Sequence, residues 1–392
     1  MIIVKVFLLL AVLFFHSKVL SQQPQPVLTF ANNGERVALF GQLQSTVLSD
    51  INGQLFSLNQ RLIVKSKLSA EQIKTLHKDI TNLQILAKLR EANIYWLTLK
   101  PNTLPAVLTT LQAITEIIAV QPDVAPQGKS TASHSFNQSI SQLITPATMT
   151  EQCETPKAVR VAIIDDGFDF SHQEFSDLNV LFSYDVETMA LVATPQSSRD
   201  YHGNLVAGLI VAKQDGSAVE GGAPDSELIA IRQVTTWTSS LIIAFNVAKM
   251  MKAQVINCSW VMPFMSDLAV NVIDELAAMQ HRPYIVVAAG NEARPACEAN
   301  HLTQLDSVIV VGAKTAQGTV ADFSNFGPCV DVFAPFGVLT TGAGQDNYRL
   351  FGGTSSAAAL VSASLAQALS CDVQPTLQQL NMYWNNSFLT AI

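Results

Sequence analysis

Three short segments contain residues whose types could act together in catalysis. Asp165 ends the apolar run RVAIID and is followed by Asp166 and Gly167. His202 lies in DYHGNLVAG, among small and apolar residues, and Ser355 follows a glycine pair in FGGTSSAAA. Each motif alone has an ordinary structural explanation, since Asp-Gly favours a turn and Gly-Thr-Ser favours a helix cap. Only their combination points to a catalytic site.

The chemistry that an aspartate, a histidine and a serine can perform together is acyl transfer. A serine hydroxyl is a poor nucleophile until an imidazole takes its proton, and a carboxylate must fix the imidazole's tautomer and stabilise its charged form. The order aspartate, histidine, serine is one of the chain orders in which this triad occurs. Ser355 at a helix start would also place backbone N–H groups near a developing oxyanion.

The elements that must position these residues are predicted to be parallel strands and helices in alternation. Near-continuous runs of valine, isoleucine and alanine are typical of strands buried on both faces, and they recur here as RVAIID, ELIAIRQV, QVINCSW, YIVVAAG, SVIVVGA and VDVFAP. Helix-like segments begin near Leu205, Leu241, Leu268 and Ser356. The alternation predicts a doubly wound, mostly parallel α/β domain over residues 156–392.

A smaller unit is predicted ahead of this domain. RLIVKSK at 61–67 alternates like a strand, and Ser69 is a candidate N-cap for a helix that carries Ile73, Leu76 and Ile80 at helical spacing. LQILAKL and NIYWLTL follow as predicted strands.

A second helix, starting at Pro105, and a strand at 117–123 complete this unit. The order β-α-β-β-α-β predicts a small ferredoxin-like α+β domain within residues 22–128. Residues 22–52 show little periodicity and are interpreted as an irregular lead-in. Residues 129–155, rich in Ser, Thr, Gln and Asn, are interpreted as a linker.

The three motifs resemble those of the subtilisin-like serine peptidases. Three further segments resemble that family as well, and all occur in its order over residues 157–372: GGAPDSELIAIRQV, VVAAGNEA and FSNFGPCVDVFAP. The likeness is strongest to the proteinase K and aqualysin branch. It implies that Asp165 orients the base, His202 is the general base and acid, Ser355 is the nucleophile and Asn291 donates to the oxyanion. Asp166 is excluded from the triad, because adjacent side chains on a strand face opposite ways and the family's aspartate stands two before the glycine.

The resemblance also implies a peptide-binding cleft. The segment Ser259, Trp260 and Val261 resembles the edge strand to which a substrate adds by backbone hydrogen bonds. The facing wall of the first specificity pocket would be Ala288, Ala289 and Gly290. Val261 stands where the family usually has glycine, which would narrow the pocket in favour of Ala or Ser before the cut, unless the loop shifts and packs Val261 into the core. Trp260 would form an apolar surface for a residue further upstream.

The first domain, by the same resemblance, is the propeptide of a zymogen, a folding assistant and intramolecular inhibitor removed by a cut between about Asp123 and Thr150. An unrelated accessory domain is the alternative. The sequence departs from the family at Asn204, Val261, Ser356 and Ala359. These departures leave a second interpretation, a catalytically weak or inactive peptide-binding protein of the same fold. An α/β-hydrolase lipase or esterase is disfavoured, because Ala357 stands where the G-x-S-x-G elbow needs glycine.

The amino-terminal segment and the overall charge indicate where the chain acts. Lys5 and the apolar run at 6–15 are typical of a signal peptide over residues 1–21, with an uncleaved anchor as the alternative. We therefore expect a secreted or periplasmic protein, without membrane attachment after cleavage. With 23 basic against 31 acidic residues, a net charge of -8 and no basic run, the chain is not expected to bind nucleic acid. The family resemblance implies a peptide or protein substrate.

Five cysteines and no C-x-x-C pair argue against a structural zinc site and leave an odd thiol. The aqualysin-type resemblance implies a disulfide between Cys297 and Cys329. Cys153 with Cys371 is a second candidate pair, and Cys258, in an apolar strand, is expected to be a buried thiol. Calcium is a candidate structural ion in this family, although no D-x-D-x-D-G loop occurs. No cofactor is expected to be required for catalysis.

Overall fold

The computed structural model describes residues 25–42, 44–127, 153, 156–217, 219–345 and 347–386. The predicted signal peptide at 1–21 and nearly all of the predicted linker at 129–155 lie outside the described residues. Within the described ranges, no helix is long and apolar enough to cross a membrane.

The amino-terminal unit is built on an antiparallel sheet. Its strands are β1 (Leu28–Asn32), β2 (Glu35–Leu39), β3 (Val47–Ser49), β4 (Leu55–Ser66), β5 (Ile80–Lys88), β6 (Asn93–Leu99) and β7 (Ile117–Pro126), and its helices are α1 (Ala70–Thr75) and α2 (Leu104–Gln112). Strand β4 pairs with β6 and with β7, and β5 pairs with β6. The resulting order β7-β4-β6-β5, with helices after β4 and β6, is the predicted ferredoxin-like arrangement.

Two details of this unit differ from the sequence-based expectation. Residues 22–52 are not simply a lead-in, because β1 and β2 form a hairpin and β3 pairs with the start of β4. The hairpin turns at Asn33 and Gly34, both with positive φ, as a two-residue Asn-Gly turn requires. Helix α1 has the expected Ser69 cap, closed reciprocally by Gln72, but it is only six residues long and Ile80 begins β5.

The second unit contains the predicted parallel sheet. Its strands are β8 (Arg160–Asp165), β9 (Val180–Asp185), β10 (Glu227–Arg232), β11 (Val255–Cys258), β12 (Tyr284–Ala288), β13 (Val308–Lys314) and β14 (Val332–Pro335). They lie in the order β14-β13-β12-β11-β8-β10-β9, with every neighbouring pair parallel. The direction of winding reverses between β8 and β11. In open α/β sheets, ligands bind outside the carboxyl ends of the strands at such a point.

Helices cover both faces of this sheet. They are α3 (His202–Val211), α4 (Thr238–Met250), α5 (Asp267–Ala277), α6 (Ala296–Ala299), α7 (Gly353–Ser370) and α8 (Leu377–Asn386), and a hairpin of β15 (Val338–Thr341) and β16 (Tyr348–Phe351) precedes α7. Helices α3 and α7 pack in the core on one face, and α4 and α5 pack on the other. The doubly wound prediction is confirmed. Strands β9, β15 and β16 were not predicted.

The two units share a core. Ile63, Leu86 and Ile94 of the antiparallel sheet are buried in the same hydrophobic cluster as Ile242 and Phe245 of α4. The amino-terminal sheet therefore covers the face of the second unit that α4 and α5 present. This burial supplies a hydrophobic contact between units that the sequence analysis treated separately.

The cysteine predictions are confirmed. Cys297 and Cys329 form a disulfide, as do Cys153 and Cys371, which are separated by 218 residues in sequence. Cys258 is a free, buried thiol at the end of β11. Burial and the nearby Asp165 carboxylate raise the pKa of this thiol above its usual value.

Candidate active site

Asp165 and His202 meet at the carboxyl end of β8. Asp165 is the last residue of that buried strand and only 3% of its surface is exposed. Its Oδ1 lies 2.8 Å from Nδ1 of His202, the first residue of α3. A buried carboxylate at this distance can fix the imidazole tautomer and leave the other ring nitrogen for proton transfer.

Glycines allow α3 to approach the strand end so closely. A Cβ on Gly203 would lie 2.3 Å from the carbonyl oxygen of Gly167, a distance that real Cβ atoms do not reach. Gly167 itself has a φ of +147°, a conformation that side chains rarely adopt. Glycines at 167 and 203 therefore let the turn after β8 and the first turn of α3 come into contact, and this contact positions His202.

Asp166 occupies a different place from Asp165. Its Oδ1 accepts a hydrogen bond from the Gly203 backbone N–H at 2.8 Å, and its Oδ2 accepts one from the His202 backbone N–H at 3.2 Å. Burial, and then the neighbouring Asp165 carboxylate, raise the pKa of Asp166 to about 6. The structure thus brings Asp165, and not Asp166, to the imidazole ring.

Ser355 lies in the first turn of α7 and is tied to the segment after β11. Its hydroxyl donates to the Ser259 carbonyl at 2.8 Å. In return, the Ser259 hydroxyl lies 3.0 Å from the Ser355 carbonyl and 2.9 Å from Asn257 Oδ1, both of which can accept from it. This reciprocal contact joins the predicted nucleophile to the predicted substrate strand.

A ring contact links the serine segment to the histidine. Phe351, the last residue of β16 and four residues before Ser355, packs edge-on against the imidazole of His202 with ring centroids 5.2 Å apart. Helices α3 and α7, whose first turns contain His202 and Ser355, also pack against each other.

Asn291 follows β12 and is oriented by the residue before Ser355. Its Oδ1 accepts from the Thr354 backbone N–H at 2.9 Å and from the Thr354 hydroxyl at 3.0 Å. Because the amide oxygen is engaged there, the Nδ2 group carries the donors that an oxyanion would need. Gly353, with a φ of +75°, lets the chain pass close to this amide, since a Cβ there would lie 3.1 Å from Nδ2.

The predicted cleft residues differ in accessibility. Val261 is half-buried, so its side chain is not packed wholly in the core. Trp260 is 7% exposed, and its Nε1 donates to the Ile164 carbonyl at 2.7 Å, so it offers little surface to a ligand. Ala288, Ala289 and Gly290, at and after the end of β12, are buried.

Two departures from the family pattern have clear packing roles. Asn204 is fully buried, and its Nδ2 donates to the Asp169 and Gly342 carbonyls, each at 3.1 Å. It therefore fastens α3 to two loops. Ser356 is fully buried, and its hydroxyl donates to the Gly353 carbonyl at 3.3 Å within α7.

One group that sequence reasoning missed is a buried ion-pair network beside the histidine. Arg232, at the end of β10, donates to Asp185 at 3.0 Å and to Asp200 at 2.8 Å. Asp200 stands two residues before His202, so this network holds the segment that leads into α3. The partners are 47 and 32 residues from Arg232 in sequence, and no local pattern indicates that they pair.

Metal binding receives no support from the described part of the chain. It contains no group of three or more His, Cys, Asp or Glu side chains that could hold a metal ion. A structural calcium ion stays a prediction from the family resemblance.

Comparison with known proteins identifies the family. Residues 156–387 match the model of the subtilase family. The chain is 30% identical over 284 residues to Subtilisin NAT of Bacillus subtilis subsp. natto, covering 68% of this chain and 72% of that protein. It is also 30% identical over 296 residues to a subtilase-type proteinase of Schizosaccharomyces pombe, covering 68% of this chain and 61% of that protein.

A solved structure supports the fold over a larger part of the chain. The epidermin leader peptide processing serine protease of Staphylococcus aureus superposes with a TM-score of 0.57 at 18% identity, covering 80% of this chain and 90% of that one. These relatives do not single out the proteinase K and aqualysin branch, which stays a prediction. They establish that this chain belongs to the subtilase family and is a serine endopeptidase.

Proposed function

We propose that the chain is a secreted endopeptidase, made as a zymogen, that cleaves peptide bonds through an acyl-enzyme formed on Ser355. The observation that carries the proposal is the 2.8 Å contact between Asp165 and His202 at the winding reversal. Ser355 is bound there to the segment after β11, and Asn291 is bound to Thr354 beside it. Similarity to subtilisins supports the reaction type. The signal-peptide pattern of residues 1–21 supports export.

In the proposed reaction, His202 removes the Ser355 proton as the hydroxyl oxygen attacks the substrate carbonyl. The oxyanion that forms is bound by Nδ2 of Asn291 and by the backbone N–H of Ser355 at the start of α7. The imidazolium, stabilised by Asp165, then protonates the leaving amine. In deacylation, His202 takes a proton from water as the water attacks the acyl carbonyl, and then returns that proton to the Ser355 oxygen as the ester bond breaks and the acid product leaves.

The substrate is proposed to lie along residues 259–261, opposite 288–290. A peptide in extended conformation can add to such a strand by backbone hydrogen bonds. The hydroxyl of Ser355 already donates to the carbonyl of Ser259, so the edge of the cleft and the nucleophile are in direct contact. In the proposed register, the side chain of the half-buried Val261 lies at the mouth of the first specificity pocket and narrows it.

The amino-terminal unit is proposed to be the propeptide and an intramolecular inhibitor. Strand β7 is held by the segment that leads into α4: the Thr236 hydroxyl donates to the Pro126 carbonyl at 3.0 Å, and the Thr238 hydroxyl donates to the Val124 carbonyl at 3.3 Å. The proposed cut lies between about Asp123 and Thr150, and residues 128–150 of that range lie outside the described residues.

A fluorophosphonate probe tests the proposed nucleophile. We expect the processed protein to be labelled on Ser355 and the Ser355→Ala variant to be unlabelled. Ser356→Ala is the matched control, because it removes the adjacent but fully buried hydroxyl and should be labelled like the parent. A processed, folded protein that resists the probe would instead favour the non-catalytic peptide-binding alternative.

A further inference from the structure

The helix that carries His202 lacks a cap from its own sequence. The N-cap position of α3 is Tyr201, whose side chain makes no capping hydrogen bond. The first N–H groups of any helix have no partner within it and need acceptors from elsewhere. At α3 the residues in question are His202 itself and Gly203.

Asp166 supplies these acceptors from another element. Both of its carboxylate oxygens are used, one by the His202 N–H and the other by the Gly203 N–H. A carboxylate at this end of a helix also interacts favourably with the helix dipole. Asp165 meanwhile binds the imidazole of the same histidine at 2.8 Å. Two consecutive carboxylates therefore hold one residue, one by its ring and the other by its backbone.

We propose that Asp166 is a positioning residue, which holds the first turn of α3 so that the His202 imidazole stays aligned between Asp165 and Ser355. This role rests on the triad proposed above. Asp166 does not need to touch the substrate for it, because it acts through the backbone of His202. Small shifts matter at such a site, since a misplacement of about 1 Å can lower a rate about 10²-fold.

The positioning role depends on the charge of Asp166. The titratable groups that act on it are Asp165, at the same strand end, and His202, on α3. Burial, and then Asp165, raise the pKa of Asp166 to about 6, while His202 and the two N–H groups oppose this rise. Below about pH 6 the carboxyl gains a proton and loses acceptor capacity toward the two N–H groups. Acid should thus remove activity in two ways, by protonating the general base and by loosening the turn that carries it.

The test is the pH dependence of kcat/KM, which reports the ionisations of the free enzyme. For the parent, we expect the acidic limb of the profile, where log kcat/KM falls with decreasing pH, to be steeper than a single ionisation produces. Asp166→Ala should lower kcat about 10- to 100-fold at pH 8, change KM less than about twofold, and leave a limb of one ionisation. Asp166→Ser offers one neutral acceptor, so it should recover much of the lost kcat while keeping the single-ionisation limb.

Asp331→Asn is the matched control. Asp331 is also a partly buried carboxylate with a raised pKa that accepts a backbone N–H, that of Val310, but it lies next to β14 at the far edge of the sheet. This variant should keep the parental limb. A parental limb of one ionisation, or an Asp166→Ala limb as steep as the parent's, would overturn the inference. So would a rise in KM with kcat unchanged, because it would mean that Asp166 contacts the substrate.

Labelling of the parent by a fluorophosphonate separates this inference from the proposed function. If the processed parent is labelled and Asp166→Ala behaves like it at every pH, only the positioning role fails. If the processed parent is not labelled, the triad itself fails, and the role of Asp166 in it fails for that reason.

Discussion

The antiparallel sheet of the amino-terminal unit and the parallel sheet of the peptidase unit bury polar side chains in different places. In the peptidase unit they gather where parallel strands end, as Asp165 does at the end of β8 and Arg232 at the end of β10. In the amino-terminal unit the one fully buried carboxylate, among the described residues, is Asp123 on β7. It accepts from the Ser239 N–H and hydroxyl in the first turn of α4, and also from Asn59 on the neighbouring strand β4.

This difference follows from how each sheet is built. Parallel strands bring all their carboxyl ends to one edge, so side chains from distant parts of the chain can converge there. An antiparallel sheet alternates its strand ends and offers a face instead of an edge. Accordingly, the peptidase unit concentrates chemistry at an edge, and the amino-terminal unit contributes a face that covers α4 and α5.

The largest expected effect tests whether the site at that sheet edge both hydrolyses peptides and releases the amino-terminal unit. Ser355→Ala should abolish peptide hydrolysis and leave the amino-terminal unit attached, because the same serine is proposed to cut its own precursor. Mass analysis of the secreted protein and a peptide assay measure the two outcomes. Cleavage of the Ser355→Ala chain at the normal site, in a protease-deficient host, would show that processing is not its own reaction.

The second-largest effect concerns the disulfides, which only one of the two units contains. Both lie in the peptidase unit or immediately before it, and the amino-terminal unit has no cysteine. In the loop-entropy model, the Cys153–Cys371 bond, with a separation of 218, should stabilise by about 5 kcal/mol. The Cys297–Cys329 bond, with a separation of 32, should stabilise by about 4 kcal/mol.

Denaturant unfolding of the two double Cys→Ser variants, in the Ser355→Ala background, measures these differences. Cys258→Ser provides a contrast, because it changes a buried thiol without opening a loop. Equal stability of the parent and either double variant would contradict the expected contribution of that disulfide.

Asn291→Leu tests the oxyanion site and keeps a side chain of similar size. The variant removes the Nδ2 donor, and kcat should fall about 10² to 10³-fold, the size established for removing such a donor in a subtilisin. KM should change little, since the donor acts on charge that develops in the transition state. An unchanged kcat would mean that the oxyanion is bound elsewhere along the sheet edge.

Val261→Gly tests the shape of the cleft. The parent should favour Ala or Ser over Phe or Leu before the cut. In the variant, the discrimination against Phe and Leu should decrease by about 1 to 3 kcal/mol. A peptide library measures both profiles, with Val373→Gly, a partly exposed valine beyond α7, as the control. Phe or Leu outperforming Ala in the parent would refute the narrow pocket.

The smallest effect concerns Asp123, the buried carboxylate on the face of the amino-terminal sheet that covers α4 and α5. Burial raises the pKa of Asp123 above its ordinary value. The docked state then binds a proton more tightly than the unfolded chain, so this contribution to stability is present at low pH and is lost as the pH rises through the raised pKa. Asp123→Asn cannot ionise and should flatten the slope, which cannot exceed about 1.4 kcal/mol per pH unit for one proton.

Thermal unfolding of full-length Ser355→Ala chains at several pH values measures this slope. Asp79→Asn is an informative control with the opposite sign. A hydrogen bond from Lys100 lowers the pKa of Asp79, so its contribution is present above the ordinary carboxyl pKa and is lost as the pH falls. An identical pH slope in Asp123→Asn and its parent would show that Asp123 does not titrate at the contact.

The sequence alone determined the strands of the peptidase sheet and the order of the chemical residues. RVAIID corresponds residue for residue to β8, and the other five predicted strands overlap β10 to β14. These runs are readable because strands buried on both faces need apolar residues at every position. The N-cap at Ser69 was predicted equally well, because a cap depends only on neighbouring residues. The hairpin of β1 and β2 was missed although its Asn33-Gly34 turn was visible in the sequence.

Strand alternation and the family resemblance already favoured Asp165 over Asp166 for the triad. Tertiary structure alone decided what Asp166 does, which is to accept from the first two N–H groups of α3. Asp166 lies 37 residues from Gly203 in sequence, and Arg232 lies 47 from Asp185, so no periodicity links them. Strand β9 escaped prediction because most of its residues are half-buried and follow neither the alternating nor the fully apolar pattern. Local pattern reports which face of an element is apolar. It does not report which polar groups from distant segments will be desolvated together, and that pairing sets their charge and their roles.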